Sequence, residues 1–148
     1  MFGLWACERP SPEIWSSVEL LDEACVQEIS LVGPSAQANA EISGLAWCGN
    51  QLILLPQYPQ KFGEGDSGVL FSILKADIDA FLAGEMEEGM RPELIPFDTA
   101  GMEESIEGFE GFESIVFEGD RFYVMIEARQ SDGMVGYLAQ GSVIAACS

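Results

Sequence analysis

Two stretches of the chain carry the same order of apolar and polar positions. One runs from Glu41 to Leu55 and the other from Gly111 to Met125, so that Gly49 and Gly119 stand 70 residues apart. The turn glycine is the only identity, but apolar positions align with apolar ones, Trp47 with Phe117 and Asn50 with Asp120. Within each stretch two short apolar runs flank Gly-Asn or Gly-Asp. That predicts a tight hairpin, because glycine accepts a positive φ at the first turn position. A repeat of this kind marks one supersecondary unit copied around an axis or along a stack.

The remaining pattern fills in both units. Ala24 to Val32 alternates Ile29 and Leu31 against Glu28 and Ser30 and is predicted to be a strand ended by Gly33-Pro34-Ser35. Leu45–Trp47 and Leu52–Leu55 form the first hairpin, closed by Pro56 and Pro59. Lys61–Gly68 reads as a surface loop and Val69–Leu74 as a third strand. Asp77 to Gly84 predicts a short helix, with Asp77 as N-cap, Ile78, Phe81 and Leu82 on one face, and Gly84 as the stop. Glu93–Thr99 supplies a fourth strand. The second unit repeats the design with Glu113–Phe117, Arg121–Glu127 and Gly136–Val143.

The predicted fold class is therefore all-β: a partial β-propeller of about two four-stranded blades with one short helical insertion. Ala24–Val32 would be the outermost strand of the last blade. Residues 1–22 read as a tail and 23–148 as the β domain. A propeller needs about 4 to 8 blades, so the expectation is the N-terminal part of a longer propeller. A small β-sandwich, or a ring completed by several chains, are the self-contained alternatives.

Charge narrows the partners. Six Lys and Arg against 25 Asp and Glu give a net charge of −19, which repels nucleic acid and favours a cation, a basic partner or a small-molecule ligand. The chain has no histidine, which removes Ser-His-Asp, Cys-His and His-metal chemistry from these residues. Gly65-Asp66-Ser67-Gly68 resembles the nucleophile signature of chymotrypsin-like proteases, but it has no base and reads as a glycine-rich loop. No window reaches the ~18 apolar residues of a membrane span. Open strand edges would favour self-association.

The four cysteines, at 7, 25, 48 and 147, have no C-x-x-C spacing, which argues against zinc. Leu4-Trp5-Ala6-Cys7 resembles the end of a bacterial lipoprotein signal. That resemblance implies lipidation of Cys7 and an extracytoplasmic location, although Trp5 is bulky and no apolar stretch precedes it. In an exported chain Cys25, Cys48 and Cys147 could supply one disulfide.

The stretch Ile106-Glu107-Gly108-Phe109-Glu110-Gly111-Phe112-Glu113-Ser114-Ile115-Val116-Phe117, followed by Asp120-Arg121-Phe122-Tyr123 and Ile126-Glu127-Ala128, resembles the extracytoplasmic phytase-like propeller family with esterase-like activity. Ser43-Gly44-Leu45-Ala46-Trp47 fits that family's first blade. The resemblance implies a secreted or surface propeller, in which inner-strand starts such as Ser43 and Glu113 line an axial channel.

Two functions from different classes follow. One is a non-catalytic propeller module that binds a ligand or protein. The other is a calcium-assisted phosphoesterase or esterase, with Glu110, Glu113 and Glu127 as metal ligands. Calcium is a hard cation taking about 6 to 8 oxygen ligands, and it activates water without histidine. Glu110 and Glu113 would face opposite sides of a straight strand and share an ion only if the chain bends at Gly111. Asp77-x-Asp79 with Glu88 resembles an EF-hand loop, but Phe81 and Leu82 occupy the places of a ligand and the required glycine. The aromatic series Phe109, Phe112, Phe117, Phe122 and Tyr123 is expected to pack blade against blade.

Overall fold

A computed structural model describes residues 28–64, 67–86 and 88–143. The tail expected at 1–22 and its candidate lipidation site Cys7 lie outside the described residues, as do Cys25 and Cys147.

The chain is mostly β and forms two antiparallel sheets. The first runs β1 (Ile42–Cys48), β2 (Gln51–Pro56), β3 (Ser67–Leu74) and β4 (Glu93–Asp98), each strand pairing with the next. The second is β5 (Phe109–Glu118), β6 (Arg121–Gln130) and β7 (Gly133–Ser142) in the same simple order. Helix α1 (Lys75–Leu82) lies between β3 and β4, at the place of the expected helical insertion, and a one-turn α2 (Met102–Ser105) joins the sheets.

The 70-residue repeat is carried through to individual backbone pairs. In the first hairpin Leu45 pairs with Leu54, Ala46 with Ile53, Trp47 with Leu52 and Cys48 with Gln51. In the second, Ile115 pairs with Val124, Val116 with Tyr123, Phe117 with Phe122 and Glu118 with Arg121. Both ladders slip at the same place, between Ile42 and Gly44 and between Phe112 and Ser114, leaving Ser43 and Glu113 as equivalent bulge residues. Gly49 and Gly119 both take positive φ, 57° and 62°, while Asn50 and Asp120 do not. The same turn chemistry therefore sets the same register twice.

The two sheets stack through one apolar layer. Ala46, Ile53, Leu55, Leu70 and Phe97 of the first sheet meet Phe112, Ile115, Val124 and Ile126 of the second, with Phe109, Phe117 and Phe122 packed around them. The Phe97 ring lies 5.7 Å from both Phe112 and Phe122, edge-on to the first and tilted to the second. The expected sheet-to-sheet aromatic packing is thus present for four of the five residues. Tyr123 is the exception: it falls on the opposite face, because it pairs with Val116 and not with the inward Ile115.

Three local expectations are corrected. Among the described residues 28–32 only Leu31 bridges, in parallel to Met90, so these residues do not form the expected strand. Their alternating Ile29 and Leu31 instead pack with Leu54, Phe71 and Ile73 on the outer face of the first sheet. Helix α1 begins at Lys75 without a side-chain cap, placing Asp77 inside the first turn. β3 runs directly into it, and the Lys75 N–H donates to the Asn50 carbonyl at 2.8 Å. Ile78 and Phe81 reach that outer cluster, whereas Leu82 is exposed.

Candidate functional site

β1 and β5 begin side by side, and the residues around that end come from four segments. Ser43 sits at the β1 bulge, where its hydroxyl donates to the Phe112 carbonyl at 2.6 Å, with the Leu55 carbonyl at 3.2 Å. The Phe112 N–H donates to the Gln57 carbonyl at 2.9 Å, so two hydrogen bonds fasten the sheets at this end. The short serine fills the bulge where the second copy carries the longer Glu113.

Glu113 projects toward the segment after β2. Its Oε1 accepts from Gln57 Nε2 at 2.9 Å, and the same amide lies 3.4 Å from the Glu110 carbonyl. That carbonyl also accepts from the Tyr58 hydroxyl at 2.5 Å. Gln57 can lie across the strand because Gly111 has no side chain. A Cβ there would collide with Gln57 Cγ. Gly111 has φ of 146° and sits between two ladder slips, so the bend anticipated at this residue is present.

Charge gathers around Tyr58. Its phenol is pushed above the ordinary 10.0, first by burial and then by the fields of Glu41, Glu110 and Glu113, all of which disfavour a tyrosinate. Two of these carboxylates have cationic partners. Glu41 faces Lys61 at 3.6 Å, and Lys61 Nζ sits 3.8 Å above the Tyr58 ring. Glu110 accepts from Arg129 Nε at 2.8 Å. Among the described residues, Glu113 has only the neutral Gln57 amide.

Of the three carboxylates considered for calcium, the structure brings Glu113 and the backbone of Glu110 together through Gln57, while the Glu110 carboxylate turns to Arg129. Glu127 is exposed on β6, opposite Gly111. Among the described residues no group of three or more acidic or thiol side chains is placed to hold one metal ion. Among the described residues, the site thus has one carboxylate without an ion-pair partner, beside a phenol that burial and nearby glutamates hold above its ordinary range.

Sequence reasoning missed Glu41, Gln57, Tyr58 and Lys61. Gln57 and Tyr58 follow β2 just where Pro56 ends the apolar run, a position that reads as an ordinary strand exit. The only local signal for Glu41 is conformational: it takes φ of 42°, rare for a non-glycine residue, and its carbonyl accepts from the Gln57 N–H at 2.9 Å.

Cys48, buried at the end of β1, is disulfide-bonded, and its partner lies outside the described residues. No described helix is long and apolar enough to cross a membrane. No protein-family profile, curated protein or solved structure matches the chain.

Proposed function

We propose that the two sheets are adjoining blades of an extracytoplasmic propeller-type binding module that takes a cationic ligand at the end where β1 and β5 begin. The observation that carries this reading is Glu113, a half-buried carboxylate without an ion-pair partner among the described residues, beside a phenol raised by burial and by the fields of three glutamates. A net charge of −19 would steer a basic ligand toward the protein. The matched ladders and the stacking of the sheets support the propeller reading. The Cys48 disulfide supports an oxidising compartment. The ester-hydrolase alternative has no gathered calcium ligands among the described residues, so the binding reading is preferred.

Tyr58 supplies the test. A bound cation offsets the glutamate fields, so the phenol pKa should fall back toward 10.0. The difference in ultraviolet titration between the wild type and Tyr58→Phe isolates this phenol, with an oligo-arginine peptide or calcium as probe. Arginine stays charged throughout the titration. A downward shift with the peptide, absent in Glu113→Gln, is expected. The same shift with calcium alone would move the reading to the metal-binding alternative, and no shift with either probe would remove the site.

A further inference from the structure

The two faces of each sheet are not alike, and the repeat tells them apart. Ala46, Ile53 and Leu55, on the face of the first sheet that the second covers, correspond at the 70-residue offset to Val116, Tyr123 and Met125. The third strands agree: Ile53 pairs with Ser72 as Tyr123 pairs with Gln140, and Leu54 with Phe71 as Val124 with Ala139. One rung further, Leu55 and Leu70 take the places of Met125 and Leu138. In the first sheet this pair is sealed, at 0% and 6% exposure; in the second it is open, at 44% and 70%, beside Val116 at 57%. The second sheet therefore shows solvent an apolar face of the kind that the first sheet buries.

Charge at this face departs from the rest of the chain. Arg121 and Arg129, two of the six basic residues, stand on it with Glu118, Glu127 and the Glu110 carboxylate that Arg129 engages, so it carries a single net negative charge within a protein of net charge −19. β7, at its edge, has ten residues and no charge, and so lacks the devices that keep edge strands from pairing. The outer face of the first sheet is different. Ala40, Phe62, Ile78, Phe81 and Met90 cover its centre, leaving Leu45 and Trp47 open at the margin.

We propose that a second copy of this chain docks on the open face, second sheet to second sheet around a two-fold axis. An isologous contact lets each copy bury Val116, Met125 and Leu138 against the same residues of the other. Head-to-tail stacking would instead have to use the covered face of the first sheet. The low net charge of the patch allows two acidic chains to meet there, and their remaining repulsion is screened within about 8 Å at 0.15 M salt.

Sedimentation of the full chain over a range of protein and salt concentrations tests this. The expected result is a dimer that tightens with added salt. Leu138→Lys combined with Met125→Lys should yield single chains with unchanged circular dichroism, since both positions are exposed in one chain. Leu45→Lys, at the margin of the opposite face, should dimerise like the wild type, as should Glu113→Gln, which separates this contact from ligand binding. A wild type that remains a single chain at every concentration would overturn the proposal and leave the face to another occupant, such as a further sheet of a longer protein. So would loss of the dimer in Leu45→Lys, or its survival in the double variant.

Discussion

Phe112→Ala is expected to cost about 3 to 5 kcal/mol, the range for truncating a fully buried aromatic side chain. The position has little freedom to collapse. Its ring is wholly buried and meets Phe97 and Phe109 edge-on at 5.7 and 5.4 Å, so the vacated space is bounded by both sheets. Its backbone is pinned on both sides, the N–H by Gln57 and the carbonyl by Ser43. Since the cost of such a cavity rises with how poorly its walls relax, the loss belongs toward the upper end. Urea unfolding checks it: the midpoint should fall with an unchanged denaturant slope, because the surface exposed on unfolding hardly alters. A loss under about 1 kcal/mol would mean that the sheets do not share this core.

Gly111→Ala should be nearly as damaging, although it adds one methyl group. A φ of 146° lies where L residues rarely go, which costs about 1 to 3 kcal/mol. The new Cβ would also press into Gln57 Cγ and lie 3.0 Å from its amide nitrogen. Overpacking of that kind adds about 1 to 3 kcal/mol. Together they give about 2 to 6 kcal/mol unless Gln57 swings away. If it does, Glu113 loses its hydrogen-bond donor and the Tyr58 hydroxyl loses its fixed neighbour. The variant should therefore lose stability in urea and, while folded, have a different Tyr58 titration. An unchanged midpoint together with an unchanged titration would contradict the close approach of Gln57 to Gly111.

The sequence made the repeat legible because the features that specify it are local. Gly49 and Gly119 fix the turns, the turns fix the ladders, and alternation along β2 and β6 decides which residues face inward. The order of strands and the helical insertion follow from the same punctuation. What was not legible depends on contacts between distant segments. Residues 28–32 have a strand-like alternation, yet they satisfy it by packing on the first sheet, with one bridge at Leu31. Asp77 is a good capping residue, but β3 leads straight into the helix and the Asn50 carbonyl engages Lys75 first.

The candidate site was only half readable, for the same reason. Glu110 and Glu113 stand out because they flank the start of the second copy, and the bend at Gly111 can be anticipated from the glycine. Their partners cannot be. Gln57 lies 56 residues from Glu113 in sequence and Tyr58 lies 52 from Glu110, and both arrive only when the two sheets stack. Glu127 shares the composition of the other two carboxylates but not their location, since its register opposite Gly111 leaves it exposed on β6. Equivalence in the repeat also misleads at one point: Ser43 and Glu113 occupy the same bulge, but one fastens two sheets through its hydroxyl and the other carries a carboxylate that accepts from the Gln57 amide.

Cross-strand and inter-sheet proton contacts in solution, measured by NMR on the full chain, test most directly whether one unit is used twice and stacked. The account predicts Leu45 against Leu54 and Trp47 against Leu52, matched by Ile115 against Val124 and Phe117 against Phe122, with the Phe97 ring touching Phe112 and Phe122. A second hairpin shifted by a single residue would turn Ile115 and Val124 outward, and that result, or the absence of Phe97 to Phe112 contacts, would contradict it.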